Sequence, residues 1–568
     1  MYIDTVPNRN SRPAVLLRES RRQGKKTVKI TLANMTDWPS EVVSAIRLAL
    51  QGETLVPKET LFAIERSIPH GQVQAVLGTI RQLGLDERIA SKRCRERDLV
   101  VAMIVQRLVA PCSKLATTRE WHDTTLAREL GVEDAGEDDL YAALDWLLER
   151  QERIENKLAK MHLHEGAVVL YDLTSSSYYG RTCPLAAYGN NRDGTKEPCI
   201  AYGLLADRQG RPLSVDVYEG NTGDPATVPD QVDKLRARFG LTRVVLVGDR
   251  GMLTDTQIDT LRQYPGLGWI SALRSEAIRD LVGNEALQLS LFDTQNLAEI
   301  SSPDFPGERL MACYNPLLAE DRKRTRLELL DATDKRLQKI AAEVRRRTRK
   351  LLKADEIGVK VGKVINRYRM GKHFKLTIED NRFTFERDEE RIAQEARLDG
   401  VYVVRTSEAR KDFPQEDTVR TYKSLSQVEQ AFRCIKGVDL RVRPIHHRTA
   451  NHVRAHVFLC MLAYYVEWHM RKAWAPVLFE DEELDEARIT RDPVAKAEPS
   501  ESVKHKKTAH ITPGGWPVHS FQSLMKTLGT RCRNTCRAHS AKAHATFYEL
   551  TEPTPFQAHA LRLLGIQP

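Results

Sequence analysis

Gly166-Ala167-Val168-Val169-Leu170-Tyr171-Asp172 and Val244-Val245-Leu246-Val247-Gly248-Asp249 are the two stretches on which the fold turns. Each is an unbroken apolar run without polar alternation, the pattern of a strand buried on both faces, and each stops at an aspartate. Residues 200–207 and 212–218 flank Arg208-Gln209-Gly210-Arg211 and read as a hairpin. Residues 227–239 suit a helix, and 268–273 a further strand after a short helix. The order strand, strand, strand, helix, buried strand, helix, strand predicts a mixed α/β sheet.

Working outward, the chain divides into six stretches. Residues 1–66 hold a small basic hairpin, with Arg21, Arg22, Lys25 and Lys26 around Gly24. Residues 67–160 repeat apolar positions at three and four, as Val76, Leu77, Ile80 and Leu83 do, which predicts a helical domain. The α/β core occupies 161–275 and resumes at 401–475, with helices expected at about 424–435 and 452–472. Between them, 276–400 reads as an insertion, with a long charged helix near 317–353 and strong alternation over 374–387. Residues 476–568 read as an acidic run, a Pro/Ser/Lys-rich mobile linker over 493–513 and a tail ending in a short helix. No internal repeat is visible.

A chain of 568 residues with 41% hydrophobic and 29% charged residues has the make-up of a folded globular protein, in roughly 3 to 4 folding units. The longest apolar run, 457–466, is about half of what spans a bilayer, and residues 1–10 lack the apolar core of a secretory signal. Both point to a cytoplasmic protein. Nine cysteines, odd in number, fit reduced thiols. Cys532 and Cys536 with His539 and His544 match no standard zinc spacing. The net charge of +10 is modest, but its clustering (Arg345, Arg346, Arg347, Arg349, Lys350; Arg441, Arg443, His446, His447, Arg448) favours a phosphate backbone as partner.

Asp172 and Asp249, each ending a buried strand, would stand a few ångströms apart at the carboxyl edge of the sheet, where ligands of open α/β sheets bind. Like charges that close call for a hard divalent cation between them. Tyr422, Glu429 and Lys436 are spaced seven apart, and at about 100° per residue they share one helix face. The neighbouring Val428, Ala431, Phe432 and Ile435 bury that helix, so Glu429 can reach the same sheet edge. Three carboxylates could then hold two metal ions for phosphodiester chemistry. Arg250, directly after the second aspartate, could steady a phosphate or pair with a carboxylate.

These segments resemble the three signatures of bacterial insertion-sequence DDE transposases: the strand 168–175, the segment 244–252, and Tyr422-x2-Leu425-x3-Glu429-x6-Lys436. The chain is most similar to the insertion sequence 4 superfamily, in its branch with a long β-containing insertion (insertion sequence 1634-like). Pro111-Cys112-Ser113-Lys114-Leu115, Gly220-Asn221-Thr222-Gly223-Asp224 and Arg443-Pro444-Ile445-His446-His447-Arg448 support the resemblance. It implies an RNase H-like core in which Asp172, Asp249 and Glu429 bind two Mg2+, with Mn2+ as a substitute. It places Tyr422 and Lys436 against DNA, and beside that implication Arg250, from its position after Asp249, and Arg433 are candidate DNA contacts. The family pattern has Arg where this chain has Leu425, so that phosphate contact is absent or falls to Lys423 or Arg433. The implied activity is cut-and-paste transposition on double-stranded DNA, at terminal inverted repeats and a target, by a homodimer in the synaptic complex. The 67–160 domain and the hairpin are the candidates for recognising the repeats, with dimerisation as their alternative role, and the protein would associate with the nucleoid, not a membrane. Two other readings keep the residues: a catalytically inactive DNA-binding descendant, and a structure-selective nuclease without strand transfer.

Overall fold

The two apolar runs form neighbouring parallel strands inside one eight-stranded sheet. In chain order its strands are β1 (Ala167–Ser177), β2 (Cys199–Asp207), β3 (Pro212–Glu219), β4 (Val244–Val247), β5 (Leu267–Ala272), β6 (Leu297–Ile300), β7 (Arg309–Tyr314) and β8 (Val401–Thr406). In space they run β6, β7, β8, β5, β4, β1, β2, β3. β1, β4 and β5 are parallel, and every other pairing is antiparallel. This is the mixed α/β sheet expected, and it is consistent with an RNase H-like core. The computed structural model describes residues 1–8, 12–24, 26–53, 62–538 and 546–568. They fall into two units, Met1–Pro69 with Arg531–Glu552, and His70–Thr530 with Pro553–Pro568.

In the first unit, Ala14–Gln23 and Lys26–Asn34 pair antiparallel through the turn at Gly24, whose φ of 62° suits a residue without a side chain. Tyr2–Val6 adds a third strand to Ala14–Gln23. A second sheet joins Phe62–Pro69, Cys532–Ala538 and Thr546–Leu550. Lys25, His539 and His544 lie outside the described residues. All nine cysteines are free thiols.

In the second unit, six of the seven helices between Gly71 and His162 pack into the same hydrophobic cluster as the sheet. What joins them is the helix Ala450–Trp474, buried almost all round, which touches Arg95–Val109 and Glu137–Leu148 as well as β3. It contains the longest apolar run, and that run is spent on the core. No single helix among the described residues is long and apolar enough to cross a membrane.

Three expectations change. Asp172 does not end its strand: β1 continues five residues beyond it, to Ser177. The run Thr174-Ser175-Ser176-Ser177 looks like turn sequence, yet its hydroxyls are spoken for in the interior, Ser175 donating to Asn190 O at 2.8 Å and Ser176 bonding Tyr202 Oη at 2.9 Å. Residues 276–400 are not wholly separate, since β6 and β7 extend the core sheet. Only the helices Pro316–Arg346 and Ala354–Tyr368 with the hairpin Phe374–Glu379/Arg382–Arg387 build a core of their own, around Leu330, Leu337, Ile357 and Phe383. Within the expected linker, Glu501–Ala509 is helical, capped by Ser500 and anchored by the buried Lys506 ammonium donating to Ala475 O at 2.8 Å.

A buried ion cluster fastens the long helix. Arg471 donates to Glu467 Oε1 at 2.6 Å and Asp439 Oδ2 at 2.7 Å, and also pairs with Glu480. Burial pushes the Glu467 carboxyl up to about 8, with Arg471 opposing and Asp439 adding to the rise. A carboxyl raised in the fold binds its proton more tightly there than in the unfolded chain. Its contribution is therefore intact below about pH 4.5, the unfolded value, and declines as the pH climbs from there to about 8. Glu467→Gln is expected to flatten that decline, read as unfolding free energy at pH 6 and pH 8.5; an unchanged slope would assign it to other groups.

Candidate active site and nucleic-acid interface

Register alone brings the two aspartates together. Leu170 is paired with Val247 across the parallel strands β1 and β4, and Asp172 and Asp249 each follow two residues later. Adjacent strands lie about 4.8 Å apart, so both carboxylates emerge at the same edge. β1 has one residue that is not buried, and it is Asp172. Past Val247 the chain turns, and Asp249 Oδ1 fixes that turn by accepting from Gly251 N at 3.0 Å and Met252 N at 2.7 Å.

Burial pushes the Asp172 carboxyl up to about 7, with the Arg192 guanidinium opposing and Asp249 and Asp224 adding. Asp224 is likewise raised by burial, opposed by Arg192, with which it pairs at 2.5 Å, and increased by Asp249. Three carboxylates thus share one corner with a single guanidinium. Asp224 comes from the quoted 220–224 motif, though no role was read into it. Arg192 comes from an irregular loop, where no periodic signal exists to find it.

Glu429 is exposed on the helix Leu425–Arg433, which packs on β1 through Val428, Ala431 and Phe432. Phe432 meets Tyr202 of β2 edge-on, with ring centroids 5.9 Å apart. Tyr422 is the link to the aspartates. Burial pushes its hydroxyl up to about 12, with Asp249 adding, Arg250 opposing and Glu429 adding again. Tyr422, Glu429 and Lys436 do not lie on one continuous helix. Tyr422 belongs to Gln415–Lys423, Glu429 to the next helix after a break at Ser424, and Lys436 to a wide π turn, Cys434–Val438. The wide turn changes the phase, so Lys436 is turned inward. Its ammonium donates to Ser175 O at 2.5 Å and pairs with Asp193 at 3.1 Å.

The position where an Arg was expected is filled by Leu425, 9% exposed and packed in the core. Of its two possible substitutes, Lys423 donates to Val494 O at 3.0 Å and Ala495 O at 3.2 Å, whereas Arg433 is exposed. Arg250 is exposed too and lines a cleft of about 880 Å³ in which Arg279, Arg322, Arg369, Lys372 and Arg391 outnumber the carboxylates Asp321, Glu395 and Asp399, with Glu395 paired to Lys372. A cleft so lined suits a polyanion.

Asp172, Asp249 and Glu429 are oxygen donors, as hard divalent cations require, and Asp224 adds a further carboxylate at the aspartate corner, where it pairs with Arg192. Cations fit there. The one set of three metal-capable side chains with ligand atoms within 4.8 Å of one another among the described residues is a different one, Cys434, Asp439 and Glu467. There the Arg471 guanidinium already supplies the positive charge.

A family model described as a transposase DDE domain matches residues 165–466, a span that contains both aspartates and the Glu429 helix. No curated protein gives a match.

Proposed function

The chain belongs to the transposase DDE domain family, and from that membership we propose that it cleaves DNA at the ends of a transposable element and transfers those ends into a target by cut-and-paste transposition. The observation that supports this reading is the convergence of Asp172 and Asp249 through the β1–β4 register, with Tyr422 feeling the charges of both Asp249 and Glu429. In this reading Asp172, Asp249 and Glu429 hold two Mg2+, or Mn2+. Such ions supply Lewis acidity and lower the pKa of a bound nucleophile. The branch we assign is the insertion sequence 4 superfamily, near the 1634-like family, with an RNase H-like core.

The protein's own contribution is placement. Asp249 is held by its turn and Asp172 by an otherwise buried strand, so neither has to reorganise as charge develops on the reacting phosphate. In the first step a water oxygen bonds to phosphorus and the bond to the 3′ oxygen breaks, leaving a 3′-hydroxyl and a 5′-phosphate. In the second that hydroxyl attacks a target phosphodiester, displacing a target 3′ oxygen. Neither step needs a protein nucleophile. Arg250 and Arg433 are assigned to phosphates and Tyr422 to the DNA beside the cut; Lys436 acts on DNA from beneath, through the pair it makes with Asp193. Double-stranded inverted repeats and target are the partners, a homodimer pairs the two ends, and the setting is the cytoplasm at the nucleoid.

The experiment is cleavage of a plasmid carrying the element's own ends, with and without Mg2+ or Mn2+. Metal-dependent nicks at the ends support transposition. Binding without cutting favours an inactive descendant, and cutting set by DNA shape irrespective of the ends favours a nuclease.

A further inference from the structure

Beyond Asp172, β1 runs towards an open hollow of about 590 Å³ lined by Ser177, Tyr179, Asp193, Arg441, Arg443 and His446. Its walls are stitched together. Tyr178 and Tyr179 meet Ile445, with Tyr179 N donating to Ile445 O at 2.9 Å, and Tyr178 Oη donates to His447 O at 3.1 Å. Asp193 is the one carboxylate lining the hollow, and it is spent: 4% exposed, it accepts from Ser177 N at 2.8 Å and pairs with both Lys436 at 3.1 Å and Arg443 at 2.7 Å. The groups that face solvent are therefore two guanidiniums, an imidazole and a phenol ring.

Two features go further than charge. Arg441 sits at φ 47°, a left-handed conformation that residues with a Cβ seldom adopt, and such outliers gather at ligand clamps. Neighbours hold it there, Leu440 N donating to Cys434 O at 3.1 Å and Val442 N to Ile435 O at 2.9 Å. Tyr179 is 49% exposed, with its ring 6.1 Å from that of His446. An exposed aromatic face beside paired arginines is what an unpaired base and its flanking phosphates need. Away from its ends a duplex keeps its bases stacked and offers no π-face to such a ring, and a hollow of this size takes one nucleotide rather than a helix.

Resting on the assignment of DNA as substrate and Asp172 as part of the reaction centre, we propose that this hollow binds an unpaired nucleotide of the DNA, its base on Tyr179 and its phosphates on Arg441 and Arg443. Ser177 lies five residues past Asp172 along β1. At about 3.3 Å per residue that is on the order of 16 Å, the length of about five base pairs of duplex at 3.4 Å each. The hollow thus receives a strand opened close to the cut.

The test compares full-length protein binding to a fluorescein-labelled blunt duplex and to the same duplex with a ten-nucleotide single-stranded tail, without divalent metal. Wild type binds the tailed probe more tightly. Tyr179→Ala reduces that preference by roughly five- to a hundredfold, whereas Tyr179→Phe keeps it because the ring does the stacking. Arg441→Gly relieves the left-handed backbone, so it folds at least as well, yet it weakens tailed-probe binding and lowers the salt slope by about 0.7. The hollow is overturned if wild type shows no preference for the tail, if Tyr179→Ala binds the tail as wild type does, or if Tyr179→Phe loses as much as Tyr179→Ala. Cleavage of the element's ends is scored alongside. Ends cut by a protein indifferent to tails remove the hollow alone, and a wild type that binds neither probe removes the transposase reading with it.

Discussion

Asp172→Asn is expected to lower metal-dependent cleavage at the element's ends by on the order of 10³-fold or more, while duplex binding stays within a few fold and the protein becomes no less stable. The reasoning runs through the crowding at the sheet edge. Burial is the main cause that holds the Asp172 carboxyl up to about 7, with the Arg192 guanidinium opposing and Asp249 and Asp224 adding to the rise. The fold carries the desolvated charge as a cost at neutral pH, so a neutral amide of the same shape relieves it. A residue kept for stability would lose stability on the same change. Glu429→Gln, on an exposed face, is expected to lose activity as deeply with no change in melting temperature. Asp249→Asn keeps an oxygen for the Gly251 and Met252 amides and loses activity likewise. The measurement is single-turnover cleavage beside thermal unfolding. Near-normal cutting by any of the three would remove that residue from the site.

Arg471→Met is expected to cost about 3 to 5 kcal/mol of stability, because it leaves Glu467, Asp439 and Glu480 without their common cation. Glu467 and Asp439 are 0% and 2% exposed, so water cannot take over. The loss is expected to be smaller at pH 5.5 than at pH 8, since protonated carboxyls no longer need the guanidinium. Urea unfolding at the two pH values reads both effects. A loss below about 1 kcal/mol at pH 8 would mean that the cluster stabilises the fold no more than an exposed pair does.

What the sequence made legible was whatever left a one-dimensional trace. The central strands announce themselves because burial on both faces leaves no polar residue in 167–171 or 244–247. The aspartates stand out as the first charges after those runs. Other features left no such trace. The short strand β6, Leu-Ala-Glu-Ile, has too few residues to show a period, and its place is set by pairing with β7. The helix Glu501–Ala509 hides in a Lys/Ser composition that resembles a linker, and only its tertiary anchor reveals it. The seven-residue spacing of Tyr422, Glu429 and Lys436 assumed an unbroken helix, which the Ser424 break and the π turn remove. Asp224 and Arg192 reach the site on loops, where spacing in the chain says nothing of distance in space.

The helix Ala450–Trp474 also has a bearing on how the protein is made. A chain emerging from the ribosome completes the parallel strands at Ala272 long before the residues that cover β3 and close the helical layer have been synthesised. Until then the faces of Arg95–Val109 and Glu137–Leu148 that meet this helix in the finished protein stay uncovered. A message broken within the insertion would therefore yield an aggregating, chaperone-bound fragment and not a DNA-binding competitor of the full-length protein.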